Sequence, residues 1–324
     1  MGKPKVIVTR GWPKAVEKKV SELFDATLNT NDKPFSVAQL QDALKTADAV
    51  MCTVTDKMTA EVLDVDGKQA KMLGNFGVGF NNIDIEVAKA ESLVVSNTPE
   101  VLTDCTGDIA MVLMLSVARR IGEGERYLRG GQWDGWRPTH MMGTKVTGKK
   151  LGIIGMGRIA QAVARKAHFG FDMKIAYYDP YLPDPDSINK TLDAESRGSI
   201  EDVLSDSDFV SLHCPATQET RHLMNAERFK AMQPSAFLIN TARGDVVDEA
   251  ALVAALNAST IAGAGLDVYE REPEVTKKLT EMENVVLLPH LGSATLETRE
   301  AMGFRVVTNV KAFFAGKEPP DRVA

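Results

Sequence analysis

The stretch Lys150-Leu151-Gly152-Ile153-Ile154-Gly155-Met156-Gly157-Arg158-Ile159-Ala160 allows few folds. Residues 151–154 are a short apolar run suited to a buried strand, Gly155 ends it, and residues 158–167 suit a helix. Strand, glycine turn and helix in this order make a phosphate site. The turn brings bare backbone to the ligand, and the helix's first free N–H groups and its dipole face the anion. Gly155 would make the tight turn, Gly157 would let a pyrophosphate touch the backbone, and Ala160 would take the small third position. Such glycines also mark ordinary turns, so neighbouring residues must decide. A second apolar run, residues 173–178, ends at Asp179, 22 residues past Gly157, where an acid meets the ribose hydroxyls of a dinucleotide. Asp179 precedes Pro180 and is also a turn former; the two readings are compatible. A carboxylate here repels a 2′-phosphate, which favours NAD over NADP.

A length of 324 residues suggests about two domains, and 44% hydrophobic with 25% charged residues suits a soluble globular protein. A net charge of −6, without a basic cluster, argues against nucleic acid or an anionic membrane as the main partner. Cys52, Cys105 and Cys214 are far apart, odd in number and without metal-ligand spacing, so no metal site is expected and the thiols read as reduced, in a cytoplasmic setting. Residues 1–9 hold too short an apolar run for a signal peptide, and Val6 spoils a myristoylation motif. No apolar run reaches membrane length.

Strands are expected at residues 5–9, 26–29, 49–53, 71–76 and 93–96, with helices at 13–24 and 36–46. Residues 104–120 read as one long helix, apolar on most sides and so buried between packed bodies or at a subunit interface. Gly107 within it points to a close approach. Residues 122–149, rich in Gly and Trp, read as an extended arm. Alternation then resumes, with strands at 151–154, 173–178, 209–212, 237–240, 261–266 and 285–288 and a final amphipathic helix at 296–314. The fold class is α/β, with parallel sheets covered on both faces.

Ligands of open α/β sheets bind outside the carboxyl ends of the strands. Arg243 follows the run 237–240, Asp267 and Glu272 follow 261–266, and His290 follows 285–288. Arginine, carboxylate and histidine suit hydride transfer to a 2-keto acid. The developing alkoxide needs a proton donor, and an imidazole, with an ordinary pKa of about 6.5, is one. A hydrogen-bonded carboxylate would orient it, and a planar guanidinium would grip the substrate carboxylate. Singly, each residue has a plainer reading: a histidine after proline, an arginine before glycine and a glutamate in a charged run are commonly solvated. His213 ends a strand and either lines a cofactor cleft or is structural; His140, His168 and His222 read as surface or packing residues.

Five blocks carry a family likeness: Asn75-Phe76-Gly77-Val78-Gly79-Phe80-Asn81-Asn82-Ile83-Asp84, residues 152–159, Asn240-Thr241-Ala242-Arg243-Gly244-Asp245, Gly265-Leu266-Asp267-Val268-Tyr269 and Pro289-His290-Leu291-Gly292-Ser293-Ala294. In these, and in their order, the chain resembles the D-isomer-specific 2-hydroxyacid dehydrogenases over nearly its whole length. It looks most like the glycerate dehydrogenase and glyoxylate/hydroxypyruvate reductase branch. The resemblance implies two doubly wound parallel-sheet domains: a Rossmann cofactor domain, residues 101–290, inserted into a flavodoxin-like substrate domain, residues 1–100 and 291–324. It makes Arg243, Glu272 and His290 the catalytic trio. Backbone N–H groups of Val78 and Gly79 would hold the substrate carboxylate, with Arg243 and His290. Asp267 would bind the nicotinamide carboxamide. Thr106, Gly155, Gly157, Arg158, Ile159, Asp179, His213, Cys214, Pro215, Thr241, Ala242, Gly292 and Ser293 would line NAD. A homodimer is implied, with Trp136 of the partner subunit entering the active site on the arm that also carries Trp133.

Departures from the pattern are few. Ala160 replaces the commoner third glycine, and Thr106-Gly107-Asp108 varies the usual start of the long helix. Of Glu270, Glu272 and Glu274, only Glu272 directly precedes proline as the family motif requires. The expected activity is NADH-dependent reduction of glyoxylate or hydroxypyruvate to glycolate or D-glycerate. The rival from another class is a non-catalytic NAD-sensing module on the same fold, akin to corepressors. Formate dehydrogenases, a third relative, usually lack a carboxylate at the Glu272 position.

Overall fold

The alternating apolar runs form two parallel sheets in the computed structural model, which describes residues 2–324. The first unit comprises the chain up to Leu102 together with Ser293–Ala324; the second is Thr103–Gly292.

In the first unit β1 (Lys5–Val8), β2 (Asp25–Leu28), β3 (Ala49–Thr53), β4 (Met72–Phe76) and β5 (Val94–Ser96) lie in the order β2-β1-β3-β4-β5. Every pair is parallel, so the order reverses between β1 and β3, as in flavodoxin-like sheets. The helix Leu296–Phe314 packs on this sheet: a Cβ on Gly74 would stand 2.6 Å from Val306 Cγ1.

In the second unit β6 (Lys150–Ile154), β7 (Lys174–Tyr178), β8 (Ala194–Ser196), β9 (Phe209–Leu212), β10 (Phe237–Asn240), β11 (Gly263–Leu266) and β12 (Val285–Leu287) run β12-β11-β10-β9-β6-β7-β8. This is the Rossmann order with a seventh strand, and it reverses between β6 and β9. Successive side chains of a strand face opposite ways. Accordingly Leu151, Ile153, Phe209, Phe237 and Ile239 enter one core, while Ile154, Val210, Leu212, Leu238 and Leu266 enter another. Two apolar faces explain why these strands are apolar runs rather than alternating ones. The fold class expected from the sequence is the one formed. Strand β8 was not expected, because Ala-Glu-Ser offers no apolar run and two of its three residues are exposed.

In the second unit the helix Thr103–Ala118 packs Leu113, Met114 and Val117 on the sheet and leaves Val112 45% exposed. Its close approach is made by glycines, since a Cβ on Gly265 would stand 2.9 Å from Leu113 Cβ, and one on Gly107 3.4 Å from Ala162 Cβ. The arm is not extended throughout: Ile121–Arg129 is a helix, braced by the local pairs Arg120–Glu123 and Arg129–Glu125. Among the described residues no helix is long and apolar enough to cross a membrane.

Candidate active site

Strand β6 ends in a turn that only glycine can make. Gly155 has φ +85°, and a Cβ on it would stand 2.9 Å from the backbone nitrogen of Cys214. Met156 N donates to Asp179 Oδ2 at 2.7 Å, and Tyr181 N to Asp179 Oδ1 at 2.9 Å. Asp179 is therefore the turn former it reads as, and its carboxylate sits at the glycine turn. Gly157 precedes the helix Arg158–Phe171, in which Arg158 and Ile159 form the first turn, and no side chain caps that end. A Cβ on Gly157 would meet nothing within 4 Å. The protein's own packing does not require this glycine, whereas a ligand lying on the backbone would. The hydroxyl of Thr241, after β10, is buried with no partner among the described residues. A bare turn, an uncapped 14-residue helix, a carboxylate and an orphaned hydroxyl fit a dinucleotide.

Facing Gly155 across the turn are the backbones of His213 and Cys214, with Pro215 next in the chain. His213 N donates to Ile154 O at 2.8 Å, and its Nε2 lies 2.8 Å from Ser211 Oγ. Burial drives the imidazole from an ordinary 6.5 down to about 4 and pushes the Cys214 thiol up to about 11. Both are neutral at pH 7. The unfolded chain then binds more protons than the folded one between about pH 6.5 and 4, so stability falls as pH falls through that window. Going from pH 7 to pH 5 should cost at most about 2 kcal/mol from His213 alone, the gap between 6.5 and about 4 setting the ceiling and its partial exposure lowering it. Urea unfolding of the ligand-free protein at both pH values checks this: His213→Gln should lose less stability on acidification than the parent, and an equal loss would refute it.

The loop after β10 is shaped by Asn240, which accepts from Ala242 N at 3.0 Å and donates to Arg243 O at 2.9 Å. Arg243 is half-buried. Burial pulls its pKa down, while Glu272 and Asp245 pull it back up. The loop after β12 is fixed from β11. The buried Asp267 accepts from Leu291 N at 2.6 Å and Gly292 N at 2.8 Å, and its carbonyl accepts from His290 N at 3.0 Å. Burial raises the Asp267 carboxyl, and these N–H groups and His290 oppose that rise. This frame holds His290 at φ +55°, a left-handed conformation uncommon outside glycine.

The imidazole meets Glu272 directly: His290 Nδ1 lies 2.8 Å from Glu272 Oε2, and Tyr269 N donates to Glu272 Oε1 at 3.0 Å. Burial raises the Glu272 carboxyl, but the His290 hydrogen bond and charge, the Tyr269 N–H and Arg243 outweigh it, so its pKa ends below the ordinary value. An ionised carboxylate only accepts, so the proton of this bond sits on Nδ1. Nε2 has no partner among the described residues and is available for proton transfer.

In the first unit, asparagines turn the loop after β4 so that its carbonyls face inward. Asn97 Nδ2 donates to Val78 O at 2.8 Å, and Asn75 Nδ2 to Gly79 O at 2.9 Å. The N–H groups of Val78 and Gly79 donate to no protein group among the described residues, so they are free for an anion. Thr106, expected to contact the cofactor, donates its hydroxyl to Gly292 O at 3.1 Å and ties the long helix to the His290 loop. Ser293 lies in the first unit, where its carbonyl accepts from Arg299 Nε. Trp136 is 81% exposed. His222, read as a packing or surface residue, sets its Nε2 2.8 Å from Glu270 Oε1, beside the Glu272 loop.

A family model described as D-isomer specific 2-hydroxyacid dehydrogenase, NAD binding domain, matches residues 111–292. The glyoxylate reductase of Thermococcus litoralis is 42% identical over 332 residues, covering 99% of this chain and 97% of that protein. That of Pyrococcus horikoshii is 42% identical over 325 residues, covering 99% and 96%. Among solved structures, an NADPH-dependent glyoxylate/hydroxypyruvate reductase from Sinorhizobium meliloti, in complex with NADP and malonate, superposes with a TM-score of 0.88 at 33% identity, covering 100% of this chain and 97% of that one.

Proposed function

The chain belongs to the D-isomer specific 2-hydroxyacid dehydrogenases, oxidoreductases with a nicotinamide cofactor, and on that premise we propose that it reduces glyoxylate or hydroxypyruvate to glycolate or D-glycerate with NADH. The observation that carries the reading is the His290–Glu272 pair at 2.8 Å, framed by Asp267 in the same unit as Arg243 and the glycine turn. A bound nicotinamide supplies the hydride to C2 of the keto acid. His290 Nε2, protonated, gives its proton to the carbonyl oxygen as charge develops there, and takes it back in the reverse direction. Glu272, ionised, holds Nδ1–H and stabilises the imidazolium. Arg243 grips the substrate carboxylate, and in the first unit the N–H groups of Val78 and Gly79 suit a carboxylate as well. Asp267 keeps lone pairs for the nicotinamide carboxamide, because its two backbone hydrogen bonds do not exhaust its oxygens. The residues 1–102 and 293–324 serve as the substrate domain and 103–292 as the cofactor domain. A non-catalytic NAD-sensing role draws no support from relatives that are reductases.

The Sinorhizobium meliloti reductase is NADPH-dependent. Here an acid, Asp179, comes directly after β7 beside the glycine turn and no Lys or Arg follows it before Lys190, which supports NADH. Steady-state assays with glyoxylate, hydroxypyruvate and pyruvate, each with NADH and NADPH, test both points. Turnover with the first two, at least about 10-fold better in kcat/KM with NADH, is expected; one decade corresponds to about 1.4 kcal/mol. Absence of turnover with all three acids would sink the reading.

A homodimer is part of the same proposal. Ile121, Leu128, Trp133, Trp136 and Met142 are all exposed within one 22-residue segment, which leaves a sizeable apolar surface for a second copy. Light scattering should give twice the 35.2 kDa chain mass, and a monomer at micromolar concentration would reject the assembly. Cys52, Cys105 and Cys214, far apart in sequence and odd in number, support a reducing compartment such as the cytoplasm.

A further inference from the structure

Glu249 is a carboxylate that the mechanism leaves unused, and it is only 6% exposed. It opens the helix Glu249–Asn257, one residue after the capping Asp248. A surface glutamate there would simply favour the helix dipole. This one turns inward: Oε1 accepts from Glu270 N at 2.8 Å, and Oε2 takes a short hydrogen bond from the hydroxyl of Thr276. Those two contacts lie on either side of Glu272.

We propose that Glu249 is a positioning residue for proton transfer, bracketing both ends of the Glu272 loop and so setting the Glu272–His290 hydrogen bond. Inside the bracket the loop is held by one backbone bond of its own and by the contacts of the Glu272 carboxylate with Tyr269 N and His290. Glu274 N donates to Arg271 O at 2.9 Å, a bond within the loop itself, and residues 271–274 are exposed. On the inner side Tyr269 N reaches Glu272 Oε1, so the Glu270 anchor and the Glu272 carboxylate are set by adjacent peptides. The Glu270 side chain is held in turn by His222, whose own N–H donates to Asp245 O at 2.7 Å, two residues from Arg243. Releasing Glu249 frees the far end at Thr276 and loosens the near end at Glu270. The carboxylate facing Nδ1 then samples positions from which it cannot orient the imidazole, and a misplacement of about 1 Å can cost about 100-fold in rate.

The inference rests on the reductase reading, and two variants separate bracketing from charge. Glutamine keeps both contacts, accepting from Glu270 N and donating to Thr276 Oγ1, but has no charge for the helix dipole. Glu249→Gln should keep kcat within about 3-fold of the parent. Glu249→Ala should lower kcat by about 30-fold. Dissociation of NADH, read by fluorescence, should stay within about 3-fold in both, because the glycine turn is untouched. Thr276→Val removes only the outer contact and should lower kcat by a smaller factor, about 5-fold; it serves if the alanine variant does not fold. Hydrogen exchange gives a readout independent of turnover: peptides spanning residues 268–276 should exchange at least about 10-fold faster in Glu249→Ala and Thr276→Val, with the strands of the sheet unchanged. A parent with no turnover on any keto acid rejects the reductase reading but leaves this exchange test standing. Unchanged exchange and kcat in the alanine and valine variants, or a glutamine variant as impaired as alanine, would overturn the proposal.

Discussion

His290→Ala should lose about 1000-fold in kcat for glyoxylate or hydroxypyruvate while binding NADH nearly as the parent does. The magnitude follows from the step removed, since a positioned general acid contributes about 10²–10⁴-fold. The selectivity follows from geometry. The imidazole contacts Glu272 and its backbone contacts Asp267, whereas the glycine turn is organised by Asp179 and the 213–214 segment. Truncation at Cβ leaves the Asp267 frame intact, because that frame uses the backbone nitrogens of residues 290–292. Glu272→Gln should be milder, about 100-fold, because the imidazole remains but loses an acceptor that is charged across the neutral range. The Glu272 carboxyl titrates below its ordinary value, so its contribution is present above about pH 4.5 and is lost as pH falls through the depressed folded value. Single-turnover rates with bound NADH measure both variants. An alanine variant with parental turnover would remove His290 from the acid–base role.

Strand ends were legible in the sequence because each apolar run stops abruptly at a polar residue. Asn240, Asp267 and the Pro289-His290 pair are therefore recognisable as strand-end residues from the sequence alone. The glycine turn was legible for the same local reason. What the sequence hid was contact between separate strand ends. The contacts of Glu249 and His222 could not be read locally, because their partners, Glu270 and Thr276, lie 21 to 48 residues away. Thr106 shows the same limit, since its bond to Gly292 O joins residues 186 apart, which no local pattern reveals. The helix Ile121–Arg129 was missed because its two glycines suppress the helical signal that its ion pairs restore.

Two glycines near the site should respond to the same substitution in opposite ways. At Gly244, beside Arg243, an added Cβ would stand 1.9 Å from Tyr269 C, 2.0 Å from Tyr269 O and 2.3 Å from Glu270 N. These are backbone atoms and cannot rotate aside. Nor can the peptide retreat: Tyr269 is buried with its hydroxyl on Leu288 O at 2.8 Å, and Glu270 N is held by Glu249. Gly244→Ala must therefore push the Arg243 turn away from the 269–272 turn, which separates the guanidinium from Glu272 and His290. Overpacking of this kind costs about 3 kcal/mol, or a fall in Tm of about 6–12 °C, and the displacement should lower kcat/KM by about 100-fold. At Gly157 an added Cβ meets nothing within 4 Å, so Gly157→Ala should keep the parental Tm. Its methyl would occupy the surface where a pyrophosphate lies, and NADH binding should weaken by at least about 10-fold, some 1.4 kcal/mol. Calorimetry and NADH fluorescence titration on the two variants read both effects. A Gly244→Ala protein with parental Tm and kcat/KM would show that the two turns yield without cost, and parental NADH affinity in Gly157→Ala would move the pyrophosphate off this turn.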